Sequence, residues 1–232
     1  MIDWEDVAEA GWKYAIIKAT EGTSFTDSKF HYNWAEAKGA DMITGAYHYF
    51  RPGVDPKGQA EHFFNTVGSL SNGDIIPWLD VEDSKPSVNS SHTVAYQVVL
   101  EQALACLAEC SKLFKCQVGI YTGLWFWDRL PIDSISVPLW VAYWYKDKKP
   151  KNPKLPRGWT DYNIHQYTSK GRIQGIDGFV DQNWSPKLKE VMYYKDEQEE
   201  PPPQQNYIQN LRERMHVIAN EVTVVQNILK EL

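Results

Sequence analysis

The sequence predicts an α/β fold in which a largely parallel sheet curls into an irregular, TIM-like β/α barrel. Between residues 12 and 184, short apolar or alternating runs trade places with longer helical patterns, as expected when helices connect parallel strands. Seven strand-like runs are enough to build a barrel. Helical patterns become scarce after residue 130 while strand-like runs continue, so the barrel should be irregular on its C-terminal side.

Each predicted element follows from its hydrophobic period and its flanking residues. The predicted strands are Tyr14–Lys18, Ile43–Tyr49, Ile75–Val81, Gln117–Tyr121, Leu139–Trp144, Ile164–Tyr167 and Phe179–Asp181. The predicted helices are Glu5–Ala10, Ser28–Lys38, Pro56–Val67 and Ser91–Phe114, and Ser91 is the expected N-cap of the last one.

A change in composition divides the chain into a domain over residues 1–194, a linker over 195–206 and a helix over 207–232. The linker joins an acidic run to Pro201–Pro203, which cannot supply a packed core and favours extended polyproline geometry. In the helix, apolar residues follow one another at alternating steps of three and four: Ile208, Leu211, Met215, Ile218, Val222, Val225, Leu229 and Leu232. This heptad pattern predicts a coiled coil that makes the protein a homo-oligomer, and an amphipathic helix folding back on the domain is the alternative.

Charge and hydropathy exclude several classes of partner. The net charge is -6 and no Lys/Arg-rich block occurs, so we expect no nucleic-acid binding. No apolar stretch is long enough to span a membrane, and the residues after Met1 lack the pattern of a signal peptide. We therefore expect a soluble protein without an export signal. The three cysteines, Cys106, Cys110 and Cys116, have no metal-ligand spacing and are expected to be reduced core thiols.

The residues that could carry chemistry begin with Asp80 and Glu82, which end an apolar run. Residues two apart on a strand project from the same face, so the two carboxyl groups can meet. Neighbouring carboxylates shift each other's pKa apart, and a protonated acid beside an ionised one is the requirement for glycosidic cleavage. The alternative is a solvated or ion-paired surface cluster that includes Asp83.

Aromatic residues are a second signal, because their faces stack on the apolar faces of sugar rings. The chain has 10 Trp and 13 Tyr. Those at predicted strand ends are Tyr47, Tyr49, Tyr121, Trp125, Trp127, Trp140, Tyr143 and Trp144, and each of them could instead fill the core. Asp181 ends the last predicted strand and could bind substrate or form a turn. His48 and His165 lack a partner at metal-ligand spacing and are interpreted as core histidines.

Taken together, eight segments resemble glycoside hydrolase family 25, the muramidases common among phage endolysins and bacterial wall hydrolases. They occur in the family's order over residues 2 to 185, namely Ile2–Trp4, Ile16–Gly22, Gly45–Pro52, Leu79–Glu82, Gly119–Gly123, Pro138–Tyr143, His165–Thr168 and Ile176–Asp181. The resemblance implies hydrolysis of the β-1,4 bond between N-acetylmuramic acid and N-acetylglucosamine in peptidoglycan, with no metal or organic cofactor. The absence of a signal-peptide pattern after Met1 is consistent with synthesis in the host cytoplasm and phage-assisted release.

The resemblance assigns roles by position. Glu82 is similar to the family's general acid/base, and Asp80 to the residue that either orients the substrate N-acetyl group or acts as the nucleophile. The substrate-binding residues that it implies are Asp181, Lys18, Glu21, Tyr47, Tyr49, Tyr121, Trp140 and Gln166.

The chain departs from the family pattern at its start. Family members begin with a strand that carries Gly-Ile-Asp-Val-Ser, and this chain starts at the later segment that contains Asp3. We expect the fold to lack that strand and to expose sheet edges. Two explanations are open: the start of the sequence is misplaced, or the protein tolerates the loss of the strand by pairing with another chain. The alternatives to an active muramidase are therefore a catalytically impaired, multivalent wall-binding module and a structural component of a phage particle.

Overall fold

The computed structural model describes residues 1–147, 149–150 and 152–195. The rest of the predicted linker and the whole heptad segment lie outside the described residues, so the proposed coiled coil stays a prediction. Within the described part, no helix is both long and apolar enough to cross a membrane.

The elements alternate as predicted along most of the chain. The strands are β1 (Tyr14–Glu21), β2 (Phe25–Thr26), β3 (Ile43–Tyr49), β4 (Trp78–Asp80), β5 (Gly119–Gly123), β6 (Leu139–Ala142), β7 (Ile164–Gly171) and β8 (Val180–Trp184). The helices are α1 (Trp4–Glu9), α2 (Phe30–Gly39), α3 (Pro56–Val67), α4 (Tyr96–Phe114) and the short α5 (Leu124–Trp127), and a 3-10 turn covers Leu188–Val191.

The eight strands form one mixed sheet in the order β2-β1-β3-β4-β5-β6-β7-β8. The strands from β1 through β3 to β7 run parallel, and β2 and β8 pair antiparallel at the two edges. The predicted α/β class is confirmed, and the sheet curls into a half-barrel in place of the irregular barrel that the sequence predicted. In the described part of the chain no strand ladder joins β1 or β2 to β8, and β2 pairs with only Thr20 and Glu21 of β1. The exposed edges expected from the sequence are therefore present.

Strand alternation sorts side chains between two cores. In β4, Leu79 points outward to the large core beneath the helices, whereas Trp78 belongs to a smaller core inside the curl of the sheet. The same alternation places Ile120 outside and Tyr121 inside on β5. The inner core therefore contains the aromatic side chains of Trp78, Tyr121 and Trp140. Cys106, Cys110 and Cys116 are free thiols, as predicted, and the first two are buried.

The first residues of α3 and α4 show where local sequence was sufficient to predict the start of a helix and where it was not. Asp55 caps α3 by accepting hydrogen bonds from the backbone N–H groups of Lys57 and Gly58, and Pro56 occupies the first turn, as predicted. The predicted N-cap at Ser91 was wrong, since α4 begins at Tyr96. The backbone N–H of Val94 instead donates to the Ser84 carbonyl at 2.8 Å, which closes the segment between them as a loop.

Asp3 is the N-cap of α1 and accepts a hydrogen bond from the Asp6 backbone N–H at 3.1 Å. It therefore has a helix-capping role.

Candidate active site

The carboxyl ends of the parallel strands surround a cavity of about 420 Å³. Asp80 is the last residue of β4 and lies in register with Tyr49 of β3 and Tyr121 of β5. Its backbone carbonyl accepts a hydrogen bond from the Phe50 N–H at 2.9 Å, and the next N–H, that of Val81, donates to the Tyr121 carbonyl at 2.9 Å. The main chain that carries the predicted carboxylates is therefore held from both sides.

All of the predicted site residues except Glu21 line this cavity. They are Glu82, Asp80, Asp181, Lys18, Tyr47, Tyr49, Tyr121, Trp140 and Gln166. The chain thus brings together residues from β1, β3, β4, β5, β6, β7 and β8. The catalytic and binding roles assigned to them remain predictions.

Asp80 is buried, with 5% of its surface exposed. Its Oδ1 atom has no hydrogen-bond partner in the described structure. Burial, followed by the neighbouring charge of Glu82, raises the pKa of Asp80 well above its usual value, while Lys18 and Arg51 oppose this shift. A buried carboxyl oxygen without a hydrogen-bond partner is costly to the fold, which is typical of a site kept for chemistry.

Glu82 is half-buried and follows β4 by two residues. Burial raises its pKa, and the nearby carboxyl groups of Asp181 and Asp83 raise it further. A hydrogen bond from the Tyr49 hydroxyl and the charge of Lys18 act in the opposite direction. Because both carboxyl groups have raised pKa values and repel each other, the pair keeps a proton to higher pH than isolated carboxyl groups would.

Asp181 lies on β8, across the cavity from this pair. It is exposed as a residue, but enough protein surrounds its carboxyl group that burial raises its pKa. Its charge is one of the causes that raise the pKa of Glu82. The three acids therefore form one electrostatic unit.

Two cationic side chains, Lys18 and Arg51, lie beside the acids. Arg51 is buried and donates to Glu21 Oε1 from two nitrogens, at 2.7 and 2.9 Å, and to Asp83 Oδ2 at 2.9 Å. Lys18 Nζ donates to Glu21 Oε2 at 2.7 Å and lies 5.1 Å from the centre of the Tyr49 ring. Glu21 consequently positions the two cations from just outside the cavity, and these pairings lower its pKa.

Aromatic rings form the opposite wall. The ring of Trp140 lies edge-on to Tyr121 at 4.7 Å, to Trp78 at 5.9 Å and to Tyr47 at 6.2 Å between centres. Its indole nitrogen donates to Asn183 Oδ1 at 2.8 Å. Burial is the main reason why the pKa values of Tyr47 and Tyr121 are raised, so both hydroxyl groups stay protonated.

Two participants were not assigned by sequence reasoning, namely Arg51 and Asn183. Arg51 lies in the segment Gly45–Pro52 that resembles the family pattern, and this was the available signal for it. The hydrogen bond between Trp144 Nε1 and Gln166 Oε1, at 2.8 Å, joins residues that only strand pairing brings together.

The interpretation of His48 as a core histidine is confirmed. It is fully buried, with Thr20 Oγ1 at 2.7 Å from its Nδ1 and Gln59 Oε1 at 3.2 Å from its Nε2. Burial lowers its pKa to about 4, so the ring is neutral at ordinary pH. His165 is also buried, with its Nε2 2.7 Å from the Tyr143 carbonyl oxygen.

The cavity continues away from the acids between β1 and β8. This end is apolar and is lined by Ile2, Trp4, Val7, Trp12, Ile17, Ile173, Ile176 and Val180. No described strand pairs with this side of β1 between Tyr14 and Lys18. The site therefore has a polar part at the strand ends and an apolar part beside the open edge.

A curled α/β sheet that gathers paired carboxyl groups and aromatic rings at its carboxyl edge defines a glycoside hydrolase site. Residues 1–176 match the sequence model of the family described as glycosyl hydrolases family 25, and the chain belongs to that family.

Individual relatives agree with this assignment. Lysozyme M1 of Streptomyces globisporus is 32% identical over 193 residues, which cover 78% of this chain and 63% of that protein. The chain therefore spans less than two thirds of that relative's length. The crystal structure of a bacterial lysozyme from Streptomyces coelicolor matches with a TM-score of 0.72 at 29% identity, over 82% of this chain and 89% of that one. The CTP1L endolysin matches with a TM-score of 0.62 at 25% identity, over 80% and 62% of the two chains.

Proposed function

We propose that this protein is a muramidase that hydrolyses the β-1,4 bond between N-acetylmuramic acid and N-acetylglucosamine in bacterial peptidoglycan. The observation that carries the proposal is the pair of carboxyl groups with raised pKa values, Asp80 and Glu82, facing one cavity with aromatic walls. Family membership supports the same substrate class.

The two acids differ in the charges that surround them. Lys18 and Arg51 stabilise negative charge on Asp80 against the larger effect of burial, whereas Asp181 and Asp83 disfavour negative charge on Glu82. By its position in the family motif Glu82 is the general acid, and in that role it donates its proton to the oxygen of the departing sugar. This route requires Asp80 to be ionised, a state that Lys18 and Arg51 favour. Ionised Asp80 then either bonds to the sugar as nucleophile or orients the substrate's own N-acetyl oxygen for that attack. In both routes Glu82 later accepts a proton from the attacking water.

The substitution Glu82→Gln tests this assignment because it keeps the shape of the side chain and removes its proton. We expect the release of reducing ends from purified peptidoglycan to fall by about 10²- to 10⁴-fold, the usual contribution of a general acid. Glu61→Gln is the matched control, since Glu61 lies on the exposed face of α3, where it pairs only loosely with Lys57 at 3.6 Å.

Unchanged hydrolysis by Glu82→Gln would refute the role of Glu82. If the unaltered chain bound bacterial sacculi but released no reducing ends, the muramidase proposal would fail and the wall-binding alternative would replace it.

Within this function we propose the narrower role of a phage or prophage endolysin. The support is the motif resemblance together with the structural likeness to an endolysin. If the protein accumulates free in infected cells before lysis, the role holds. If it is found instead in purified virions, it is a component of the particle.

A further inference from the structure

Two tryptophans that the proposed chemistry does not use lie exposed beside the cavity. Trp125 is in α5, directly after β5, and Trp144 follows β6 by two residues, so both stand at the carboxyl ends of parallel strands. Their exposed fractions are 45% and 52%. The ring centres are 5.6 Å apart and the ring planes are tilted by 43°. We call these two residues the tryptophan pair.

Both rings are held in place although they face solvent. The ring of Trp125 lies so close to Gly123 that a Cβ atom there would come within 2.1 Å of a ring carbon. The indole nitrogen of Trp144 donates to Gln166 Oε1 at 2.8 Å. Rings that are already ordered lose little conformational entropy when a ligand stacks on them, so the tryptophan pair is prepared for binding.

Hydrogen bonds connect the tryptophan pair to the catalytic cavity. The oxygen of Gln166 that accepts from Trp144 also accepts from the Tyr121 hydroxyl at 3.2 Å. Gln166 and Tyr121 both line the cavity, and Tyr121 is in register with Asp80. The exposed rings are therefore continuous with the aromatic wall of the site.

We propose that the tryptophan pair is a sugar-stacking subsite that binds peptidoglycan glycan outside the cleavage site. This inference rests on the proposed function. A cavity of about 420 Å³ has the size of a site for one small molecule, so a polysaccharide must run beyond it. The apolar face of a sugar ring matches a rigid indole face. The tryptophan pair lies where a glycan chain that leaves the cavity between β5 and β6 would pass.

The test compares Trp125→Ala and Trp144→Ala with the unaltered full-length chain on two substrates, long glycan strands and short fragments that only fill the cavity. We expect KM for long strands to rise roughly tenfold, which corresponds to about 1.4 kcal/mol of lost stacking. For Trp125→Ala, which leaves the hydrogen bond between Trp144 and Gln166 in place, we expect kcat on both substrates and KM on short fragments to stay unchanged. Trp144→Phe, which keeps a ring, should recover most of the affinity for long strands.

Trp184→Ala is the matched control. Trp184 has a similar exposed fraction, 51%, but it pairs with His165 near the amino end of β7, at the opposite edge of the sheet. Its replacement should leave KM unchanged on both substrates.

Two results would overturn the subsite. One is an unchanged KM on long strands in both alanine variants. The other is an equal rise of KM on short fragments, which would mean that Trp144 merely positions Gln166. If the unaltered chain proves inactive, the proposed function fails separately, and fluorescence titration with long glycan strands decides the subsite. Weaker binding by Trp144→Ala than by the unaltered chain then supports it, and equal binding refutes it.

Discussion

At the scale of single residues, Tyr49 and Glu82 show how the site adjusts a proton. Tyr49 ends β3, and its hydroxyl bonds to Glu82 in the loop after β4. Since a hydroxyl donor stabilises the ionised carboxylate, this bond lowers the pKa of Glu82 against the larger upward effect of burial. The cations Lys18 and Arg51 lie against the faces of the same tyrosine ring, at 5.1 and 4.4 Å. Tyr49 therefore links the acids to the cations.

Tyr49→Phe should move the pH dependence of hydrolysis in one direction. Without the hydroxyl the ionised form of Glu82 loses a donor, so its pKa rises and the protonated acid persists to higher pH. The alkaline limb of kcat/KM should shift upward in pH, because this limb reports loss of the essential proton. Tyr162→Phe, at the other end of the sheet, is the control and should leave the profile in place. A downward shift in Tyr49→Phe would contradict this account.

At the scale of elements, the approach of β5 to β4 depends on Gly119. An added Cβ atom at Gly119 would lie 2.2 Å from a ring carbon of Trp78, whose ring in turn packs edge-on against Trp140. Gly119 is therefore required because a larger side chain would collide with Trp78, and not because of its backbone conformation. The packing of Trp78 and Trp140 in the aromatic wall of the site depends on this contact.

Gly119→Ala should destabilise the protein by about 1–3 kcal/mol, the usual cost of overpacking a core. Gly39→Ala is the matched control, since no atom lies within 4 Å of its added Cβ and Gly39 is the last residue of α2. We expect the control to be neutral or slightly stabilising, by up to about 1 kcal/mol. Denaturant unfolding of both variants measures the difference. Equal free energies of unfolding would show that the contact with Trp78 is unimportant.

At the scale of the whole molecule, the heptad segment over residues 207–232 predicts self-association. Several linked copies would bind a repetitive polymer with avidity, without any new contact at the site. Ile218→Lys with Val225→Lys in the full chain places charge at two core positions of the predicted seam that are one heptad apart, and light scattering should then report a monomer. Asn220→Lys with Asn227→Lys, which the heptad pattern puts on the outer face of the predicted helix, should leave the oligomer intact. A monomeric mass for the unaltered chain would refute the prediction.

Prediction from sequence succeeded where neighbouring residues supply the interactions. The bounds of β3 and α3 agree with their predicted ranges, because strand alternation and the Asp55–Pro56 cap are local signals. It failed where distant backbone groups compete, as in the loop closed by Val94 and Ser84, which removed a helical turn expected from Ser91. The two-residue strand β2 carries too short a pattern to be predicted and forms only because β1 offers an edge.

The sequence by itself determined that Asp80 and Glu82 share a side of the chain, since the spacing of two along extended backbone does not depend on the rest of the fold. It also determined the family, through the order of its motifs. Only the tertiary structure decided the proton affinities, because these depend on burial and on Lys18, Arg51 and Asp181, which other strands bring to the pair. It likewise decided that the sheet remains an open half-barrel: closure is a question of which edges meet, and the hydrogen bonds that settle it join strands from opposite ends of the domain.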